Sequence, residues 1–175
     1  GTLIDTREPG TVSQPAYVLT SGHCTHPEIA NNEIIVNQPA KGRVTFNYFF
    51  DTQPQSHSYS VSRIVWSTLR GQDLSIVELQ QPLEQLIRDG IQPLKLAQTP
   101  LVAEDNILVT GAPMSGFIQR MACKQEHSAA IIEGPWRWVG QPSNRCLDVV
   151  SGLSGSPLLA RYTNEVVGVL GTTTR

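Results

Sequence analysis

Three short segments carry residue types that could do covalent chemistry: Leu19-Thr20-Ser21-Gly22-His23-Cys24, Gln72-Asp73-Leu74-Ser75-Ile76-Val77 and Ser151-Gly152-Leu153-Ser154-Gly155-Ser156-Pro157. In chain order they supply a histidine, an aspartate and a serine. Attack of a serine hydroxyl on an acyl carbon needs a nucleophile, a base that takes its proton, and a buried carboxylate that holds the base in one tautomer. Taken singly, His23, Asp73 and Ser154 read equally well as a core histidine, a turn or cap residue and a loop serine. Their surroundings single them out. Gly152 has no Cβ, so the backbone can approach a substrate carbonyl, and the N–H groups of Gly152 and Ser154 can converge on a developing oxyanion. Gly155 relieves crowding after the serine, and Pro157 keeps the turn from continuing as a helix.

The elements that must position these residues read as strands. The apolar run over 16–20 predicts a strand leading into Ser21-Gly22, with His23 just beyond it. Asp73 follows Gly71-Gln72 and precedes Leu74, Ile76, Val77 and Leu79, which puts its carboxylate at the mouth of a buried strand. Along the whole chain, 14 Gly and 12 Pro lie between short Val, Ile, Leu and Thr runs, the pattern of many short strands joined by turns. Strands are predicted over 16–20, 33–36, 43–49, 60–65, 74–79, 106–110, 119–123, 129–132, 156–160 and 165–170. Helical periodicity is almost absent; the best helix candidate, 83–89, lies between Pro82 and Gly90. At 175 residues the chain can bury a sizeable core. No internal repeat is visible, and no stretch approaches membrane-spanning length.

Other chemistries fit less well. A Gly-x-Ser context also occurs at the nucleophile elbow of α/β-hydrolases, but there the serine precedes the acid and the histidine, and Ser156 stands where that motif has its second glycine. His23-Cys24-x-His26 has no second ligand pair nearby, so no metal site is expected, and the chemistry requires no organic cofactor. The net charge of −2 and dispersed acidic and basic residues argue against a nucleic-acid surface or a charged partner. Arg137 between Trp136 and Trp138 reads as a cleft wall or as packing.

At the three segments the chain resembles the trypsin-like superfamily of chymotrypsin-fold serine peptidases. Its histidine segment is like Leu-Thr-Ala-Gly-His-Cys, its aspartate segment like Asp-Leu-Ala-Ile/Val, and its serine segment like Gly-x-Ser-Gly-Gly/Ser-Pro. Cys146 and Asp148 upstream of Gly152-Leu153-Ser154-Gly155-Ser156-Pro157 are similar to a secreted bacterial branch near the glutamyl endopeptidases. The resemblance implies an all-β fold of two antiparallel six-stranded β-barrels with the active site in the cleft between them. It places His23 and Asp73 in a first barrel (1–90), a linker at 91–102, and Ser154 in a second barrel (103–175). It implies a serine endopeptidase acting on a protein or peptide, with Gly152 and Ser154 as oxyanion donors.

The resemblance further implies a disulfide between Cys123 and Cys146, hence an oxidising compartment and a secreted or periplasmic protein. Asp148, Ser151 and Gly171 are expected to border the specificity pocket. An aspartate at 148 favours a basic side chain at the cleavage site, and Leu170 after Val167-Gly168-Val169 replaces the histidine that would read glutamate. Leu153 cannot make the ion pair with a released amino terminus that zymogen-activated relatives form through an aspartate. Both ends look cut relative to the family: the cysteine that would pair with Cys24 and the last strand and helix are absent. The alternatives are a silent, protease-like binding module and the protease domain of a larger quality-control protein.

Overall fold

In the computed structural model the described residues are 1–9, 13–26, 32–114, 116–134 and 136–172. The first strands are β1 (Thr2–Ile4) and β2 (Pro15–Thr20). A single helical turn, α1 (Gly22–Thr25), follows, then β3 (Ile34–Pro39), β4 (Arg43–Phe46), a short 3-10 turn at Gln53–Gln55, β5 (His57–Thr68) and β6 (Leu74–Pro82). Helix α2 (Leu83–Arg88) begins where Pro82 stands extended, and it buries Leu83 and Leu86 completely. After a long connection come β7 (Asn106–Gly111), β8 (Gln119–His127), β9 (Ala130–Glu133), β10 (Trp136–Val139), β11 (Pro142–Asn144), β12 (Pro157–Ala160) and β13 (Val166–Val169).

The all-β reading holds, with curled antiparallel sheets of the chymotrypsin-like kind. The strand count differs from the expected pair of six-stranded barrels. The first sheet has six strands, in the order β1-β2-β6-β5-β3 with β4 also on β5. The second has five, β11-β8-β7-β12-β13, and β9 pairs only with β10 among the described residues. Along β8, β7 pairs with residues 119–124 and β11 with residues 125–127, while β9 turns back on β10. β5 is longer than its 60–65 expectation because β4 pairs its first part and β3 its second.

Burial follows the period of two expected of strands. Ser75, Val77 and Leu79 of β6 are buried on one face, with Ala16 and Val18 of β2 in the same core cluster as Val77 and Leu79. In the second sheet Ile107 and Val109 of β7 pack with Leu153, Leu158 and Leu170. A third cluster spans both sheets: Ile4, Leu19, Leu159 and Val166, with Leu74, Ile76, Leu94 and Leu108 against it. The connection between the sheets is stitched to each, for Leu94 bridges Ile4 and Leu96 bridges Val166. Among the described residues, no helix is long and apolar enough to cross a membrane.

Candidate active site

The histidine is set by the end of β2. The chain leaves Thr20 through Ser21 into α1, and Gly22 approaches the opposing backbone so closely that a Cβ there would stand 2.4 Å from the Thr68 carbonyl. That approach brings the His23 N–H to Asp73 Oδ1 at 3.1 Å and His23 Nδ1 to Asp73 Oδ2 at 2.5 Å. Beneath the turn, Thr25 Oγ1 donates to the Gly22 carbonyl and lies within 3.2 Å of the Ser67 hydroxyl and 3.0 Å of the Ser75 hydroxyl. Ser67 and Ser75 are a fully buried cross-strand pair of β5 and β6, so their hydroxyls need such partners.

Asp73 is nearly buried, at 9% exposure, whereas His23 is 42% exposed. The carboxylate fixes the proton on Nδ1 and leaves Nε2 as the accepting nitrogen of the neutral ring. Nε2 lies 3.7 Å from the Cys24 sulfur. The Asp73 hydrogen bond, and after it the Cys24 contact, raise the His23 pKa from 6.5 to about 10.

The serine is set by a backbone turn. Leu153 donates to the Val150 carbonyl at 3.2 Å and Ser156 to the Leu153 carbonyl at 3.0 Å, while the Leu153 side chain is 1% exposed in the second core. Gly152 has φ +98°, and a Cβ on it would meet the Met114 nitrogen at 2.4 Å. The Met114 N–H donates to the Ser151 carbonyl at 3.3 Å. Because a trans peptide points its C=O and N–H in opposite directions, this bond turns the Gly152 N–H away from Met114. Among the described residues, no backbone hydrogen bond uses the N–H of Gly152 or Ser154.

One atom ties the two segments together. The Leu170 carbonyl accepts from the buried Ser21 hydroxyl at 3.0 Å and from the Gly155 N–H at 2.8 Å, and the Leu170 N–H donates to Ser156 at 2.8 Å. Neither Ser21 nor Met114 stood out as a site residue in the sequence, and Leu170 stood out only as the residue in place of a glutamate-reading histidine. The available signals were that Ser21 precedes the Gly-His pair and that Leu170 ends an apolar strand.

Ser154 and Gly152 line a cleft of about 740 Å³ together with Cys24, Thr25, Tyr48 and Ile118. No hydrogen bond joins His23 to Ser154 among the described residues. None of the three residues expected at a specificity pocket lines the Ser154 cleft. Asp148, exposed and at φ +66°, borders a second cavity of about 450 Å³ with Arg120, Lys124 and Arg145. Ser151 is exposed and offers its carbonyl to Met114, and Gly171 packs on Asp73, where a Cβ would stand 3.4 Å from Oδ2. Arg137 and Trp138 are on the β9–β10 hairpin and do not line the Ser154 cleft; the side chain of Trp136 lies outside the described residues. Cys123 and Cys146 sit in disulfide geometry, with Cα atoms 4.9 Å apart. Among the described residues, no group of three or more His, Cys, Asp or Glu is placed to hold a metal ion.

Residues 2–169 match the family model of a trypsin-like peptidase domain. No curated protein matches the chain in sequence. Among solved structures, the MamO protease domain of Magnetospirillum magneticum, apo form, is similar with a TM-score of 0.59 at 15% identity, covering 87% of this chain and 69% of that one. Deg5 is similar with a TM-score of 0.56 at 17% identity over 90% of this chain and 69% of its own. The active form of the Rv3671c protease of M. tuberculosis gives a TM-score of 0.53 at 17% identity over 90% of this chain and 59% of its own. At such identities the likeness concerns the fold alone. The chain thus spans from 59% to 69% of the lengths of these three structures.

Proposed function

Because this chain belongs to the trypsin-like peptidase domain family, we propose that it is a serine endopeptidase in which Ser154, His23 and Asp73 hydrolyse peptide bonds through an acyl-enzyme. The observation that carries this reading is the Asp73–His23 pair, whose 2.5 Å contact on Nδ1 leaves Nε2 to act as base. Ser154 Oγ attacks the scissile carbonyl carbon and its proton passes to His23 Nε2, while Asp73 stabilises the imidazolium. The Gly152 and Ser154 N–H groups receive the oxyanion. His23 then hands its proton to the leaving amine, and water repeats the cycle on the ester to release the acid and restore the serine. Protein or peptide is the substrate class.

A second reading rests on a specific observation: Nε2 stands beside the Cys24 sulfur and makes no bond to Ser154. On that reading the fold is kept as a binding module without turnover. The two part on one assay, cleavage of fluorescently labelled casein by the wild type and by Ser154→Ala. Cleavage lost in the variant supports the enzyme; no cleavage by folded wild-type protein removes it. The Cys123–Cys146 pair supports a secreted or periplasmic setting.

A further inference from the structure

The bond that turns the Gly152 N–H starts from Met114, and Met114 belongs to a segment with an unusual anchor. After β7 ends at Gly111, the chain turns at Pro113, with the Gly116 N–H on the Pro113 carbonyl at 3.2 Å. It then reaches across to the loop between β4 and β5: the Ile118 N–H donates to the Tyr48 carbonyl at 3.0 Å. Phe117 stacks obliquely on Tyr48 with ring centroids 5.1 Å apart, and Phe50 meets it edge-on at 5.7 Å. The loop on the far side is itself tied down. Thr52 Oγ1 donates to the Asn47 carbonyl at 2.7 Å, its N–H donates to Phe49, and the 3-10 turn closes behind it. Phe50 is 82% exposed, so its place is not explained by core packing; its ring partner is Phe117.

We infer that the Tyr48–Phe117–Phe50 aromatic clamp is a positioning device for the oxyanion donors, with Phe117 its central residue. Rings from the first sheet's loop hold 116–118, that segment places Met114, and the Met114 N–H grips the Ser151 carbonyl so that Gly152 presents its N–H to the cleft. Aromatic pairs in offset or edge geometry have the directional preference that such a clamp needs. The device lets the first half of the molecule set a backbone dipole in the second half without any contact to Ser154. In catalytic terms the inference rests on the peptidase reading above, but the structural coupling from ring to peptide does not.

The test therefore has two readouts on the full chain: amide hydrogen exchange at Met114, and the rate at which a fluorophosphonate probe labels Ser154. Phe117→Ala should raise Met114 exchange by about tenfold while Leu108 and Val109 of β7 keep their protection. It should slow labelling by roughly tenfold or more, part of the hundredfold or greater loss that follows removal of an oxyanion donor. Phe117→Tyr, which keeps the ring, should restore both. Should Phe117→Ala fail to fold, Tyr48→Ala removes the stacked ring and is read in the same way. Unchanged Met114 exchange, or a rise shared equally by Leu108 and Val109, overturns the clamp. A folded wild type that takes no label overturns the peptidase reading instead, and Met114 exchange then decides the clamp by itself.

Discussion

The two halves of the candidate site are built from different materials. Around His23 the geometry is held by side chains: the Asp73 carboxylate, the Thr25, Ser67 and Ser75 hydroxyls, and the Cys24 sulfur. Around Ser154 it is held by the main chain: the Gly152 turn, the Met114–Ser151 bond and the paired bonds at Leu170. A base needs a tuned proton affinity, which charged and polar neighbours provide. An oxyanion needs fixed dipoles, which peptide N–H groups provide. Each half should therefore fail in its own way, and substitutions can separate them.

The largest effect expected is at Asp73. Asp73→Asn keeps the shape but removes the charge and the tautomer control, so fluorophosphonate labelling should slow by about four orders of magnitude. The His23 pKa should fall from its raised value, read by proton resonances of the ring. A loss of labelling without a change in the imidazole titration would break the side-chain account of that half.

Next comes Gly152→Ala. Its Cβ collides with the Met114 nitrogen and its φ of +98° disfavours a side chain, so labelling should fall by roughly two to three orders of magnitude. The His23 titration should stay as in the wild type, because only main-chain geometry has been disturbed. Coincident loss of both would mean that the halves are not separately built.

Ser21→Ala acts on the join. It deletes one of the two donors to the Leu170 carbonyl, and because Gly155 remains, stability should fall by about 1 kcal/mol. Urea unfolding with an unchanged slope measures this; no change in midpoint would remove Leu170 as the tie between the segments.

The fourth test concerns pH. The folded His23 pKa of about 10 lies above 6.5, so the charged ring stabilises the fold fully below 6.5 and loses that contribution as pH rises towards 10. The base form gains in the same direction, so labelling should accelerate with pH above neutrality. Cys24→Ala removes one of the contacts that raise the pKa, and the rise should move to lower pH. A profile that stays put would show that the sulfur does not act on Nε2.

The unequal materials also explain what could be read from the chain. The contact of Asp73 with His23 was legible because it is made by side chains of particular types; Gly152 was read for approach to a substrate carbonyl, whereas the neighbour that excludes a Cβ in the structure is Met114. The strands were legible where apolar runs are short and bounded by turns, as at β2, β6 and β7. Length was not: β5 extends through polar residues because two partners pair with it. Met114, Leu170 and the ring clamp act through backbone atoms or distant contacts, which leave no local signature. For Asp148, the distance along the chain from Ser154 does not say which cavity it borders, and in the structure it borders the second one.

The most direct measurement of the central claim is fluorophosphonate labelling followed by mapping of the modified residue, on the wild type, Ser154→Ala and His23→Ala. The account predicts label on Ser154 alone in the wild type and none in either variant. Label on another residue, or undiminished label in His23→Ala, would contradict it.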